Sequence, residues 1–120
     1  MPPGLRRKLR QAVSYFDPAE GKITGLDWNL WVQYGMTGPE FLATVKHTLD
    51  LRLVGNRAPF TLGMHADIYS EQYDGGAKNS TAAERQQALA EALEYALSKP
   101  EVRVVSAAQI LEYVRSPVAL

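Results

Sequence analysis

Residues 58–69 read APFTLGMHADIY. Phe60, Leu62 and Met64 alternate with Thr61, Gly63 and His65, which is the two-residue period of a half-buried strand. The spacing predicts a strand over Ala58 to Tyr69 that presents His65 near its C-terminal end. Gly55-Asn56 stops the chain before it, and a polar, Gly-rich stretch, YDGGAKN over 73–79, follows it. Two other segments have strand chemistry. Lys22 to Val32 (KITGLDWNLWV) is rich in β-branched and aromatic residues and reads as a strand with the loop after it. Val102, Val104 and Val105 form a short third strand.

Helical periodicity fills the intervals. Leu5, Leu9, Val13 and Phe16 mark one face of a first helix, ended by Asp17-Pro18 and Gly21. Pro39 fits the first turn of a helix running to about Leu53, with Phe41, Leu42, Val45, Leu49 and Leu53 as its buried stripe. Thr81 with Glu84, and Ser106 with Gln109, match the capping box, in which cap and third residue satisfy each other's amides. After Thr81 the apolar face is Ala88, Leu89, Ala92, Leu93, Ala96 and Leu97, closed by Lys99-Pro100. The last helix carries Ile110, Leu111 and Val114. Helices and strands therefore alternate along a single domain or partial domain spanning residues 1–120. The expected class is α/β, with short parallel strands joined by helices.

Composition removes several function classes. Lys plus Arg equals Asp plus Glu at 13 each, which argues against a nucleic-acid binder driven by phosphate contacts. There is no cysteine, which excludes disulfides, thiolate zinc sites and cysteine nucleophiles. No apolar run approaches the roughly 20 residues of a membrane helix. The basic start, MPPGLRRKLR, leads into QAVSYFDPAEG, which is not the apolar core of a signal peptide. Neither feature assigns a compartment.

In a parallel α/β domain, chemistry collects at the C-terminal ends of strands. His65 is placed at one such end, and Asp27 and Trp28 at or near another. Trp28, Trp31, Tyr34, Tyr69 and Tyr73 flank the two ends. Such rings can stack on sugar faces, with Trp28, Trp31 and Tyr69 the candidate carbohydrate contacts, or they can pack as core and rim.

Asp27-Trp28, then Leu62-Gly63-Met64-His65, then the closing VRVVSAAQILEYVR, together resemble the C-terminal part of the NodB-type polysaccharide deacetylases, carbohydrate esterase family four. The resemblance covers roughly Ile23 to Arg115. It implies the C-terminal portion of a distorted (β/α) barrel that removes acetyl groups from chitin oligosaccharides, peptidoglycan or xylan. It implies His65 as the acid that protonates the leaving amine, Asp27 as its orienting partner, and Trp28 as a wall of the acetyl pocket. Leu62 stands three residues before His65, where the family has leucine two before. Arg57-Ala58-Pro59-Phe60 can alternatively be aligned with the family's third motif. Matching Leu62 to His65 to the family's fifth motif, a leucine-containing strand that ends in the catalytic histidine, is preferred because helix, strand and helix follow directly.

The complete family domain uses a divalent metal, usually zinc, held by an acidic residue and two histidines one helical turn apart. Here there is no adjacent acidic pair and no His-xxx-His, and the second histidine is His47. His47 with Asp50, or His65 with Asp67, supplies two ligands where a zinc site needs three or four. The chain alone is thus expected to bind no cofactor and to be inactive as a deacetylase. The alternative is a small glycan-binding or protein-interaction domain without catalysis. An incomplete barrel would leave strand edges open, so a homo-oligomer, or pairing with a missing N-terminal half through Phe60–Met64 and Val102–Val105, is expected.

Overall fold

The computed structural model describes residues 3–12 and 26–118. It is mostly helical. Helix α1 spans Pro3–Ala12, α2 Gly38–Val54, α3 Ala82–Leu97 and α4 Ala107–Arg115, with a π-helical turn at Asn29–Gln33 and a 3₁₀ turn at Ala66–Tyr69.

The expected α/β architecture is overturned. Among the described residues the only β pairing is an isolated parallel bridge between Leu26 and Gly63. Apart from Gly63 in that bridge, residues 57–65 and 102–106 carry no regular structure, and no ladder joins them. Alternation specifies which side chains face inward; a sheet also needs a neighbouring strand to take the amides and carbonyls. The strand read over Ala58 to Tyr69 gives way to the 3₁₀ turn after His65. In the segment read as Lys22 to Val32, the chain turns helical at Asp27. Its β-favouring residues are overridden by burial of Leu30 and Trp31 on one side of the turn. Residues 22–25 lie outside the described residues, as do Val13, Phe16, Asp17-Pro18 and Gly21 from the first-helix reading. Among the described residues there is no sheet whose open edges could drive association.

The core forms where α2 meets α3 and the two short turns. Phe41, Val45 and Leu49 are buried on α2, as expected, while Leu42 and Leu53 are half-buried. Thr44 and Thr48 are buried too. Their hydroxyls donate back to the Glu40 and Thr44 carbonyls, at 2.9 and 3.0 Å, which makes polar side chains acceptable in the core. On α3 the buried positions are Arg85, Ala88 and Ala92. The two alanines let α2 approach closely, and Leu93 and Leu97 remain exposed. Trp31 and Phe41 stack with centroids 4.3 Å apart and planes 8° from parallel. Both are fully buried, beside Met36, Leu30 and Ile68.

Three capping boxes start the helices: Thr37 with Glu40, Thr81 with Glu84, and Ser106 with Gln109. Gly35 has φ +54°, and a Cβ there would lie 2.9 Å from the Asn79 side-chain nitrogen. That nitrogen donates to the Gly35 carbonyl at 2.7 Å, so the close approach requires glycine. Asn79, Ser80 and Thr81 thus all have structural uses, since Ser80 accepts from Arg85 and Thr81 caps α3.

An apolar groove of about 500 Å³ lies among α2, α3, α4 and the non-helical segments around Phe60 and Val102, lined in part by Leu49, Phe60, Leu62, Val102 and Ile110. Helix α4 buries none of its residues. No helix among the described residues is long and apolar enough to cross a membrane.

Phe41→Ala removes one ring of the buried stack. It is expected to lower unfolding stability by about 3–5 kcal/mol, measured by urea denaturation. Leu111→Ala on the exposed face of α4 should change it by no more than about 0.5 kcal/mol.

Candidate functional site

Two segments distant in sequence are pinned together at the Leu26–Gly63 bridge. The Asp27 amide donates to the Gly63 carbonyl at 3.0 Å. The His65 amide then donates to Asp27 Oδ2 at 2.8 Å. The carboxylate thus continues the pairing where the backbone of its own segment has turned into a helix. Its other oxygen, Oδ1, lies 2.7 Å from His65 Nδ1. Asp27 is fully buried, while the His65 side chain is 54% exposed.

The resemblance implies Asp27 as the orienting partner of His65, and the structure brings the two into direct contact. Asp67 sits one turn on, in the 3₁₀ turn, and acts on the imidazole through charge alone. The pKa of His65 is raised above its ordinary value. The hydrogen bond to Asp27 is the largest cause; desolvation opposes it, and the charges of Asp27 and Asp67 add to it. A carboxylate on Nδ1 requires the proton on that nitrogen, which orients the ring and leaves Nε2 for exchange with a ligand or solvent. The arrangement can hold a proton near neutral pH and deliver it from Nε2.

The three aromatic candidates divide. Trp28, next to Asp27, is 45% exposed and can present its ring to a ligand. Trp31 is wholly buried against Phe41, so its ring faces are used within the chain and cannot stack on a sugar. Tyr69 is half-buried, and its hydroxyl oxygen accepts from Trp31 Nε1 at 3.3 Å. Burial, the largest cause, pushes the Tyr69 phenol up to about 12. Tyr34 is buried and Tyr73 half-buried against the core.

Sequence reasoning missed what holds the His65 side of the site. Arg85 is buried on α3; its Nε donates to the Ile68 carbonyl at 2.7 Å, and a terminal nitrogen donates to the Ser80 carbonyl at 2.7 Å. Gln86 Nε2 donates to the Tyr69 carbonyl at 2.7 Å. Together they clamp the 3₁₀ turn that follows His65. The signal was present in the spacing: Arg85, Ala88 and Ala92 fall on one helical stripe, and a charged residue on an apolar stripe must find partners inside.

Among the described residues no group of three or more His, Asp or Glu side chains is placed to hold a metal ion. His47 is half-buried on α2, and Asp50 accepts the Tyr95 hydroxyl. The residues of the site do not fit the metal that the family resemblance implies.

The raised His65 pKa fixes a pH dependence. The pair adds stability that is fully present below the unfolded histidine value of about 6.5, and it is lost as pH rises through the higher folded value. NMR titration of the wild-type ring should give a midpoint above 6.5, and Asp27→Asn should lower it. The stability difference between wild type and His65→Gln should likewise shrink as pH rises through the folded-state midpoint.

No protein-family model, curated protein or solved structure matches the chain, so its functional reading rests on the geometry of Asp27, His65 and their neighbours.

Proposed function

We propose that this chain supplies the leaving-group acid of a carbohydrate deacetylase, with His65 as proton donor, Asp27 as its orienting partner and Trp28 as a contact for the acetylated sugar. The observation that carries the proposal is the buried Asp27 carboxylate holding both the amide and Nδ1 of a solvent-accessible His65. When an acetamide is hydrolysed, water adds to the acyl carbon and the carbon–nitrogen bond breaks. The nitrogen must gain a proton to leave as an amine. Imidazolium is suited to that donation near neutral pH, and a carboxylate on its far nitrogen steadies the charged form. The proton is given from Nε2, and solvent restores it. The groups that activate the water are assigned in this reading to residues elsewhere, since the sequence carries neither an adjacent acidic pair nor a His-xxx-His.

The exposed ring of Trp28 favours a second reading, a glycan-binding domain without catalysis. The two separate on whether the acetyl group is sensed at His65.

The test is a titration of isotopically labelled chain with N-acetylated chito-oligosaccharide, followed by NMR at the Trp28 indole and the His65 ring. Both should shift, and Trp28→Ala should weaken binding by about 3- to 10-fold, the range for loss of one aromatic contact. The fully deacetylated oligomer should leave His65 undisturbed. An equal response at His65 to both sugars would sink the deacetylase reading and leave the glycan-binding one. Acetate released by the chain with zinc alone would overturn the assignment of water activation to residues elsewhere.

A further inference from the structure

The segment that carries His65 serves two sites. Gly63 and His65 bond to Asp27 through their backbone carbonyl and amide, while Leu62 and Met64 line the apolar groove. Leu49 of α2, Ala96 of α3 and Ile110 of α4 supply its other walls. The short side chain at Ala96 leaves room that a leucine would fill. A volume of about 500 Å³ falls within the range of sites that enclose small organic molecules, about 300–1,000 Å³.

The groove is apolar, yet it is not neutral. Arg52, Arg57 and Arg103 line it against a single acid, Glu101, in a chain whose opposite charges balance at 13 each. Arg103 is partly engaged, since one terminal nitrogen donates to the Pro100 and Val102 carbonyls at 2.6 and 2.9 Å. Arg57 is exposed and holds φ +58°, a left-handed conformation that glycine or asparagine adopts at lower cost. Arg52 lies in the last turn of α2, where the helix carbonyls favour a cation. Its Nε is shut off from solvent and has no hydrogen-bond partner among the described residues. A buried donor left unpaired is costly. A carboxylate is the acceptor that matches a guanidinium edge, because its two oxygens take parallel bonds from two nitrogens.

We infer that this groove binds a single-chain aliphatic carboxylate, of the fatty-acid class, with the alkyl chain on Leu49, Leu62 and Ile110 and the carboxylate on Arg52. Arg57 adds positive charge at the exposed edge. Apolar walls alone would take any hydrocarbon; the orphaned Nε selects an anionic head. A polypeptide would carry its own amides and carbonyls into walls that offer them few partners, whereas an alkyl chain carries none. The inference is independent of the proton-transfer reading of His65.

The experiment is NMR titration of the full chain, methyl-labelled at leucine and isoleucine, with dodecanoate below its micelle threshold. Dodecan-1-ol and dodecyltrimethylammonium serve as head-group controls. Dodecanoate should saturate at one per chain and shift the methyls of Leu49, Leu62 and Ile110, leaving Leu30 of the core unmoved. Decanoate should bind more weakly by roughly 4-fold per methylene removed. Both controls should bind at least about 10-fold more weakly, the scale of one hydrogen bond to a charged group. Arg52→Met keeps the apolar stem and deletes the donor. It should weaken dodecanoate by about 10- to 100-fold on the same scale and leave dodecan-1-ol unchanged. It should also raise the urea midpoint of the ligand-free chain, because a desolvated donor is removed; loss of a merely structural residue would lower it. Ala96→Leu should weaken both probes. The inference is overturned by absence of saturable binding, by equal binding of dodecanoate and either control, or by full dodecanoate affinity in Arg52→Met. A lower urea midpoint for Arg52→Met overturns it too, since Nε would then have a partner in solution. Groove methyl shifts that change with protein concentration before any amphiphile is added would assign the groove to a second copy of the chain and end the proposal.

Discussion

A carboxylate removed entirely from water must be met by donors, and Asp27 is such a group. The isolated Leu26–Gly63 bridge brings its segment alongside the chain that carries His65, and the side chain then takes over where the backbone pairing stops. Both oxygens are engaged by one residue, His65, through amide and ring. Solvation of one buried charge therefore links two segments 38 residues apart and orients the most accessible titrating ring of the site. Losing those donors would leave an uncompensated charge, whereas losing the ring alone would leave the amide in place. That asymmetry makes Asp27 the more structural member of the pair and His65 the more chemical one.

The pair is supported from both sides by the core. On the Asp27 side, Trp31 is held by its stack on Phe41 of α2. The π-helical turn places it there, with the Tyr34 amide reaching back to the Asn29 carbonyl at 2.8 Å. A turn widened by one residue changes which side chains share a face, and such turns recur near functional sites for that reason. On the His65 side, Arg85 and Gln86 of α3 bind the carbonyls of Ile68 and Tyr69. Since α2 and α3 pack on each other, the geometry of the site is set by the contact between these two helices. The segments bearing Asp27 and His65 are short, but each is fastened to an element several turns long.

Much of the helical framework was legible. Thr81 with Glu84 and Ser106 with Gln109 start α3 and α4, and Pro39 lies in the first turn of α2. These signals are local, each closed within one turn. The strands were not legible in the same way. Phe60, Leu62 and Met64 do alternate, yet alternation says nothing about whether a partner strand exists, and here a single bridge replaces a ladder. Asp27-Trp28 was read at or near a strand end, and it opens a helical turn. The pairing of Asp27 with His65 survived that error because it depends on where two segments meet, not on the regular structure either adopts. Trp31 illustrates the opposite limit. Its position near the site suggested a sugar contact, whereas its stack with Phe41 consumes the ring faces that such a contact needs.

The chemistry proposed for His65 also explains why one segment can hold an acid without holding a metal. In amide hydrolysis the attacking water and the departing nitrogen are different centres, and the groups that serve them act at different atoms. An acid needs an oriented, solvent-connected proton and a counter-charge behind it; Asp27 and the exposed His65 ring meet that need within this chain. Water activation needs several ligands converging on one point, and among the described residues no group of three or more His, Asp or Glu side chains is so placed.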